Sequence, residues 1–256
     1  MNKTIILEVR ETTPLIHHLT NQVVMNFSAN GLLSFGAAPV MAKAEEEAAD
    51  MAANADGVLL NIGTLTANEL DSMVRAGKAA NEKGIPIVID PVGVAATPFR
   101  TTAVKKILSD VQPTVLKGNA GELAHLVEIP WETKGVESIG DGNADEIASK
   151  VAEMYQCTAV VTGQTDVLCT SGEIEHNTTG HPFLGKITGA GCLLGSVLTA
   201  CLTTNNNVQK QTLAAVNFYG LAAEYAAKQT DVNGPGTFLP HFIDALSFDP
   251  SKLERK

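Results

Sequence analysis

A doubly wound α/β sandwich built on a mostly parallel sheet is the fold class this sequence predicts, and three observations predict it. Short apolar runs rich in β-branched residues recur, longer helix-compatible segments separate them, and glycine and polar residues gather where each run ends. The runs are apolar at successive positions, without in/out alternation. That pattern suits strands covered on both faces, the normal state of a parallel sheet. The repeated order strand, helix, strand then favours three layers, with helices on either side.

In chain order, MAKAEEEAADMAANA (41–55) reads as a helix and GVLLNIG (57–63) as a strand. LDSMVRAGKAANEKG (70–84) reads as a helix and IPIVIDPVG (85–93) as a strand, followed by a helix over AVKKILSD (103–110) and a strand over TVLKGN (114–119). The helices have apolar residues at helical spacing, several with Gly, Asn or Asp at an end. ADEIASKVAEMYQ (144–156) is the next helix, with its N-terminus near Asn143, and TAVVTGQ (158–164) the next strand. DVLCTSG and EIEHNT (166–178) form β-compatible runs around a Ser-Gly turn and predict an antiparallel hairpin. From Gly191 to about Leu246 the chain is almost wholly helix-compatible and rich in Ala. No linker, repeat or low-complexity tract marks a boundary, so residues 1–256 read as a single domain.

Composition narrows the function classes. With 18 basic and 28 acidic residues and a net charge of −10, the chain has no Lys/Arg cluster to follow a phosphate backbone, which argues against a nucleic-acid partner. No apolar run reaches about 18 residues, and MNKTIILEVRETTP lacks a signal peptide's apolar core. The expectation is a cytoplasmic protein without a membrane partner. The four cysteines, Cys157, Cys169, Cys192 and Cys201, contain no C-x-x-C pair, so reduced thiols are expected and zinc is not. DGNADE (141–146) has Glu146 where a calcium loop needs glycine, and it is rejected as a metal site.

Ligands of open parallel sheets bind beyond the carboxyl ends of the strands. There the sequence places Asn61 and Gly63, Asp90 and Gly93, Lys117 to Asn119, and Thr162 with Gly163. Glycines at such turns are equally expected on structural grounds. Asp90 is harder to explain that way, because a carboxylate directly after IPIVI must be solvated, paired or on a cation. Asn119 and Glu122, three apart, read either as a helix cap and capping box or, with Asp90, as oxygen ligands for a Mg²⁺ that keeps water and nucleotide phosphates.

Gly189-Ala190-Gly191 precedes a helix-compatible run and reads as a phosphate-binding turn, although its spacing is neither the dinucleotide fingerprint nor a P-loop. Cys192 follows that turn. A thiol at a helix N-terminus is expected to have a lowered pKa and to accept a proton or attack, unless it is only a small buried hydrophobe. His17 and His18 are adjacent and cannot both reach one ion from a regular element, so they read as structural, with at most one near a substrate.

LTNQVVMNFSANGLLSFGAAPVMA, NIGTL, IDPVGVAAT, LKGNAGE, VVTGQTDV and ITGAGCLLGS together resemble hydroxyethylthiazole kinase, of the ribokinase-like superfamily, over nearly the whole chain. The resemblance implies a ribokinase-like three-layer sandwich without a separate lid. It implies ATP-dependent phosphorylation of the alcohol of 4-methyl-5-(2-hydroxyethyl)thiazole in thiamine salvage, with Mg²⁺, in a homotrimer whose sites lie between subunits. It places Met41 and Gly189 beside the thiazole and Lys117 and Thr162 on ATP. Asp90 and Glu122 would serve Mg²⁺ and the phosphates, with Asn119 in support, and Cys192 would stand where the wider superfamily has a catalytic aspartate. Many members have Arg where this chain has Lys117, which keeps the charge and loses the bidentate fork. The apolar Val23, Val24, Met25, Ala37, Ala38, Val40 and Met41 are read as the wall for the thiazole, on helix-compatible segments. Three rivals stand against this: a kinase for a hydroxymethylpyrimidine or sugar, a ribokinase-fold nucleotide-dependent dehydratase, and a catalytically silent nucleotide-binding module.

Overall fold

The computed structural model describes residues 2–130 and 141–253. Its elements are α1 (Lys3–Thr12), β1 (Leu15–Leu19), α2 (Met25–Phe35), β2 (Ala38–Val40), α3 (Ala48–Asn54), β3 (Gly57–Asn61), α4 (Ala67–Lys83), β4 (Ile87–Asp90) and α5 (Pro98–Asp110). They continue with β5 (Val115–Asn119), α6 (Ala120–Leu126), α7 (Asp141–Tyr155), β6 (Thr158–Thr162), β7 (Asp166–Thr170), β8 (Glu173–Asn177), α8 (Ala190–Cys201), α9 (Val208–Ala227) and α10 (Pro235–Leu246). The described strands form one sheet of eight in the order β2-β1-β3-β4-β5-β6-β7-β8. Pairing is parallel from β2 through β6 and antiparallel among β6, β7 and β8.

Burial on both faces follows from the unbroken apolar runs. Leu59, Val88, Val115 and Val160 join the core beneath α1, α2, α8, α9 and α10. Their immediate neighbours Val58, Leu60, Ile87, Ile89, Leu116, Ala159 and Val161 turn the other way, onto α4, α5, α6 and α7. Successive side chains of a strand point to opposite faces, so each run feeds two cores at once. The result is the expected three-layer sandwich.

Two segments depart from the sequence reading. Only Ala48–Asn54 of residues 41–55 is helical. Ala38–Val40, expected in a helix-compatible segment, is strand β2, paired in parallel with β1 through Ile16↔Pro39. Pro39 has no N–H to donate, and β2 sits at the sheet edge, where a missing donor on the open side costs nothing. The predicted hairpin is present, turning at Ser171 and Gly172 with φ of 51° and 85°, the left-handed pair of a tight two-residue turn. DGNADE is helical from Asp141. No helix of the described residues is long and apolar enough to cross a membrane.

Candidate active site

Four strands end on polar residues in register: Asn61 opposes Asp90 across β3 and β4, and Asn119 opposes Thr162 across β5 and β6. Helix α8 starts above them. A Cβ on Gly195 would lie 3.1 Å from Leu59 Cδ1 and 3.8 Å from Asp90 Oδ2, so the absent side chain lets the helix rest on β3 and β4.

Asp90 is almost fully buried, and its Oδ2 accepts from Lys117 Nζ at 2.8 Å and from Asn61 Nδ2 at 2.9 Å. Lys117 also donates to Gly191 O at 2.9 Å, tying the pair to the first turn of α8. Burial raises the Asp90 carboxyl and works against the Lys117 ammonium. Asp90 in turn holds Lys117 above the usual lysine range, so the proton stays on Lys117 and the two form a buried ion pair.

The capping box expected at Asn119 and Glu122 is present, with Glu122 N donating to Asn119 Oδ1 and Asn119 N to Glu122 Oε2, both at 2.9 Å. Glu122 does more than cap. Its Oε1 accepts from Gly93 N at 2.7 Å, which brings the loop after β4 onto the start of α6. Burial first, and then the charge of Asp90, push its carboxyl upward. Two carboxylates thus share a region that Lys117 neutralises only once.

Gly189 caps α8 with φ 90°, a left-handed conformation suited to glycine, and a Cβ there would fall 2.5 Å from Val24 Cγ1. The carbonyl of Ala190 accepts from Tyr219 Oη at 2.6 Å. With Ala190 O and Gly191 O both engaged, the turn is held by its carbonyls, and the first N–H groups of α8 have no acceptor within the helix. Cys192 is buried, and its Sγ accepts from Asn21 Nδ2 at 3.4 Å. The lowered thiol pKa expected from a helix N-terminus is overturned. Burial, and next the charge of Asp90, push the Cys192 thiol up, against Lys117 and the amides of Asn61 and Asn21.

Asp90, Lys117, Asn119, Glu122, Gly189, Ala190, Gly191 and Cys192 are therefore brought together, with Thr162 beside Asn119. Met41 is not among them. It is half-buried just beyond β2, two strands from β3 and so about 10 Å away along the sheet. His17 anchors that segment through Nε2 to Ala42 O at 2.6 Å, and His18 is buried between Ile16 O and Ser196 Oγ. Both ring nitrogens of His18 are engaged within the fold, whereas His17 Nδ1 is buried without a hydrogen-bond partner among the described residues.

Sequence reasoning missed Asn21, Arg100 and Tyr219 as parts of the site. Arg100 Nη1 donates to Ile62 O at 2.9 Å and Val92 O at 2.7 Å, and Nη2 bonds Gly63 O, so one guanidinium holds the loops after β3 and β4 together. Asn21 lies just past the end of β1 as Asn61 closes β3, and recognising LIHHL as a strand would have pointed to it.

No group of three or more His, Cys, Asp or Glu able to hold a metal occurs among the described residues. The donor set fits Mg²⁺ in its other mode, one or two carboxylates completed by nucleotide phosphates and water, and Asp90 and Glu122 are the carboxylates that would supply it. A concavity of about 750 Å³ lined by Gln112, Thr114, Glu153, Cys157 and Thr158 lies at the amino ends of β5 and β6. It is the wrong end of a parallel sheet for this chemistry.

The family model described as the hydroxyethylthiazole kinase family matches residues 6–250. Hydroxyethylthiazole kinase 1 of Oceanobacillus iheyensis is 61% identical over 253 residues, covering 99% of this chain and 98% of that protein. The solved structure of a hydroxyethylthiazole kinase protein from Pyrococcus horikoshii superposes with a TM-score of 0.86 at 40% identity, over 95% of this chain and 91% of that one. A ribokinase-like superfamily protein of Enterococcus faecalis superposes with a TM-score of 0.70 over 99% of this chain and 95% of that one, and at 16% identity it speaks for the fold alone.

Proposed function

The chain belongs to the hydroxyethylthiazole kinase family, and from that premise we propose how its residues carry the reaction. It is a kinase that phosphorylates the alcohol of 4-methyl-5-(2-hydroxyethyl)thiazole in thiamine metabolism, with ATP as co-substrate. The observation that carries the residue assignment is the Asp90–Lys117 pair lying under the Gly189-Ala190-Gly191 turn, with Glu122 close enough to feel the charge of Asp90.

Phosphoryl transfer is mostly positioning and charge neutralisation. In our reading the N–H groups of Gly189-Ala190-Gly191 hold the moving phosphoryl group, because they open helix α8 and have no intrahelical acceptor of their own. Lys117 and Thr162 contact ATP, and the bond of Lys117 to Gly191 O keeps its ammonium beside the turn. Asp90 and Glu122 would hold Mg²⁺, with Asn119 fixing the Glu122 carboxylate through the capping box. When bound, Mg²⁺ supplies charge neutralisation for the phosphates. Cys192 lies beside the attacking hydroxyl.

Met41 and Gly189 contact the thiazole. Val23 and Leu33, large apolar side chains 67% and 58% exposed before and on α2, support a site completed between subunits of a homotrimer. A cytoplasmic location and a single kinase domain over residues 1–256 complete the proposal.

The test is ADP release from Mg-ATP with and without hydroxyethylthiazole, alongside hydroxymethylpyrimidine and a sugar panel. Release that depends on the thiazole alcohol, with a phosphorylated product by mass, is the expected result. Release without any alcohol would move the dehydratase reading to the front. The same assay carried to high dilution tests the shared site, since specific activity must fall as the trimer dissociates.

A further inference from the structure

Asn21 lies in the loop after β1 and is 5% exposed. Hydrogen-bond polarity fixes which way its amide faces. The backbone N–H of Gly63 donates to Asn61 Oδ1 at 3.0 Å, so that atom is an acceptor and Asn61 Nδ2 is the donor that meets Asp90 Oδ2 at 2.9 Å. The Asn21 atom 2.9 Å from Asn61 Oδ1 must therefore be Nδ2. That nitrogen carries two hydrogens and has two acceptors, Asn61 Oδ1 and, at 3.4 Å, Cys192 Sγ. A chain of amides thus runs from the Asp90 carboxylate through Asn61 and Asn21 to the sulfur.

Gly63 makes room for it. A Cβ at residue 63 would lie 2.6 Å from Asn21 Nδ2, 2.7 Å from its Cγ and 2.8 Å from its Cβ, so the missing side chain is the space the Asn21 amide occupies. The loop is pinned besides by Gln22 N on Thr64 Oγ1 at 3.1 Å. A sulfur that accepts an N–H on one side keeps its own hydrogen, or its free lone pair, for another direction.

We infer that Asn21 is a positioning residue for Cys192, its amide fixing the sulfur relative to Asp90 and aiming it at the incoming hydroxyl, with Gly63 required to leave the amide in place. The inference rests on the reading of Cys192 as the group beside that hydroxyl. Losing Asn21 removes one bond to the sulfur, and the expected effect is a fall in kcat of roughly three- to fivefold, no larger than the loss in Cys192→Ala, with KM for ATP nearly unchanged.

A double-mutant cycle tests this with the full-length enzyme, folding being checked by circular dichroism melting. The expected result is that Asn21→Ala costs at least threefold less in kcat in a Cys192→Ala background than in the wild type. An equal cost in both backgrounds would overturn the inference while leaving Cys192 its role. An unchanged kcat in Cys192→Ala alone would remove the reading of the thiol and the inference with it. Gly63→Ala is an independent probe, since it displaces the amide with Asn21 still present. It is expected to reproduce the loss of Asn21→Ala and to add little on top of it. Wild-type kcat in Gly63→Ala would overturn the role assigned to the amide.

Discussion

The thiol of Cys192 is the residue where helix geometry and burial disagree, and burial wins. A helix N-terminus favours the anion, but a sulfur buried near Asp90 is pushed up, so at neutral pH the resting group is a thiol. Only the minor thiolate fraction can then accept a proton, which is tolerable in a reaction that depends chiefly on positioning. Cys192→Asp is therefore expected to keep or raise kcat, because a carboxyl, even one raised by burial, ionises more readily than this thiol. Cys192→Ala is expected to lower kcat by less than about tenfold, well short of a strong general base. Steady-state rates at saturating substrates decide it, and an inactive Cys192→Asp would mean that no base acts from this position. Asp90, Asn119 and Glu122 were legible from sequence because each follows from a local rule, a charge ending an apolar run or a capping spacing of three. Asn21 was not, since its partner Cys192 lies 171 residues away and no local pattern records that contact. The upward shift of the thiol was hidden for the same reason, being set by neighbours from other strands.

At the scale of elements, the strands that were legible carry apolar runs rich in β-branched residues or, as in β8, stand beside a turn signal, and the two that were not have physical excuses. β1 reads LIHHL, where two histidines interrupt the apolar run, and β2 is three residues long with a proline in the middle. Helix α8 was placed correctly because glycine before an apolar run is a local signal, and the structure adds why the first glycine is needed. Gly189 combines φ 90° with a virtual Cβ 2.5 Å from Val24 Cγ1. Gly189→Ala is expected to destabilise by about 1–3 kcal/mol, from the left-handed backbone and the contact that must give way. For a chain of this size that is a fall in Tm of several degrees. Because α8 carries Cys192 and Gly191 in its first turn, kcat should fall with it. Val24→Ala should restore part of the stability by removing the opposing methyl, and a Gly189→Ala enzyme with unchanged Tm and kcat would show that the turn does not need its glycine.

The architecture of the whole molecule was legible because a two-faced parallel sheet leaves its mark in every strand, whereas the burial of polar groups between sheet and helix does not show in sequence at all. His18 is the clearest case. It is fully buried between β1 and α8, with Nδ1–H donating to Ile16 O and Nε2 accepting from the Ser196 hydroxyl, both at 2.9 Å. Neither bond needs a charged ring. Burial lowers its pKa from 6.5 to about 4, with His17 beside it acting in the same direction. The folded protein therefore binds fewer protons at this site than the unfolded chain between pH 6.5 and about 4. Stability from the neutral ring is fully present above pH 6.5 and is lost as pH falls through that window, by at most about 1.4 kcal/mol per pH unit. Urea midpoints at pH 7.5, 6 and 5 should show the wild type losing stability faster than His18→Gln, which cannot take up the proton. Equal losses in the two proteins, or an NMR titration placing His18 near 6.5 in the folded state, would mean that the ring is not held neutral by the core.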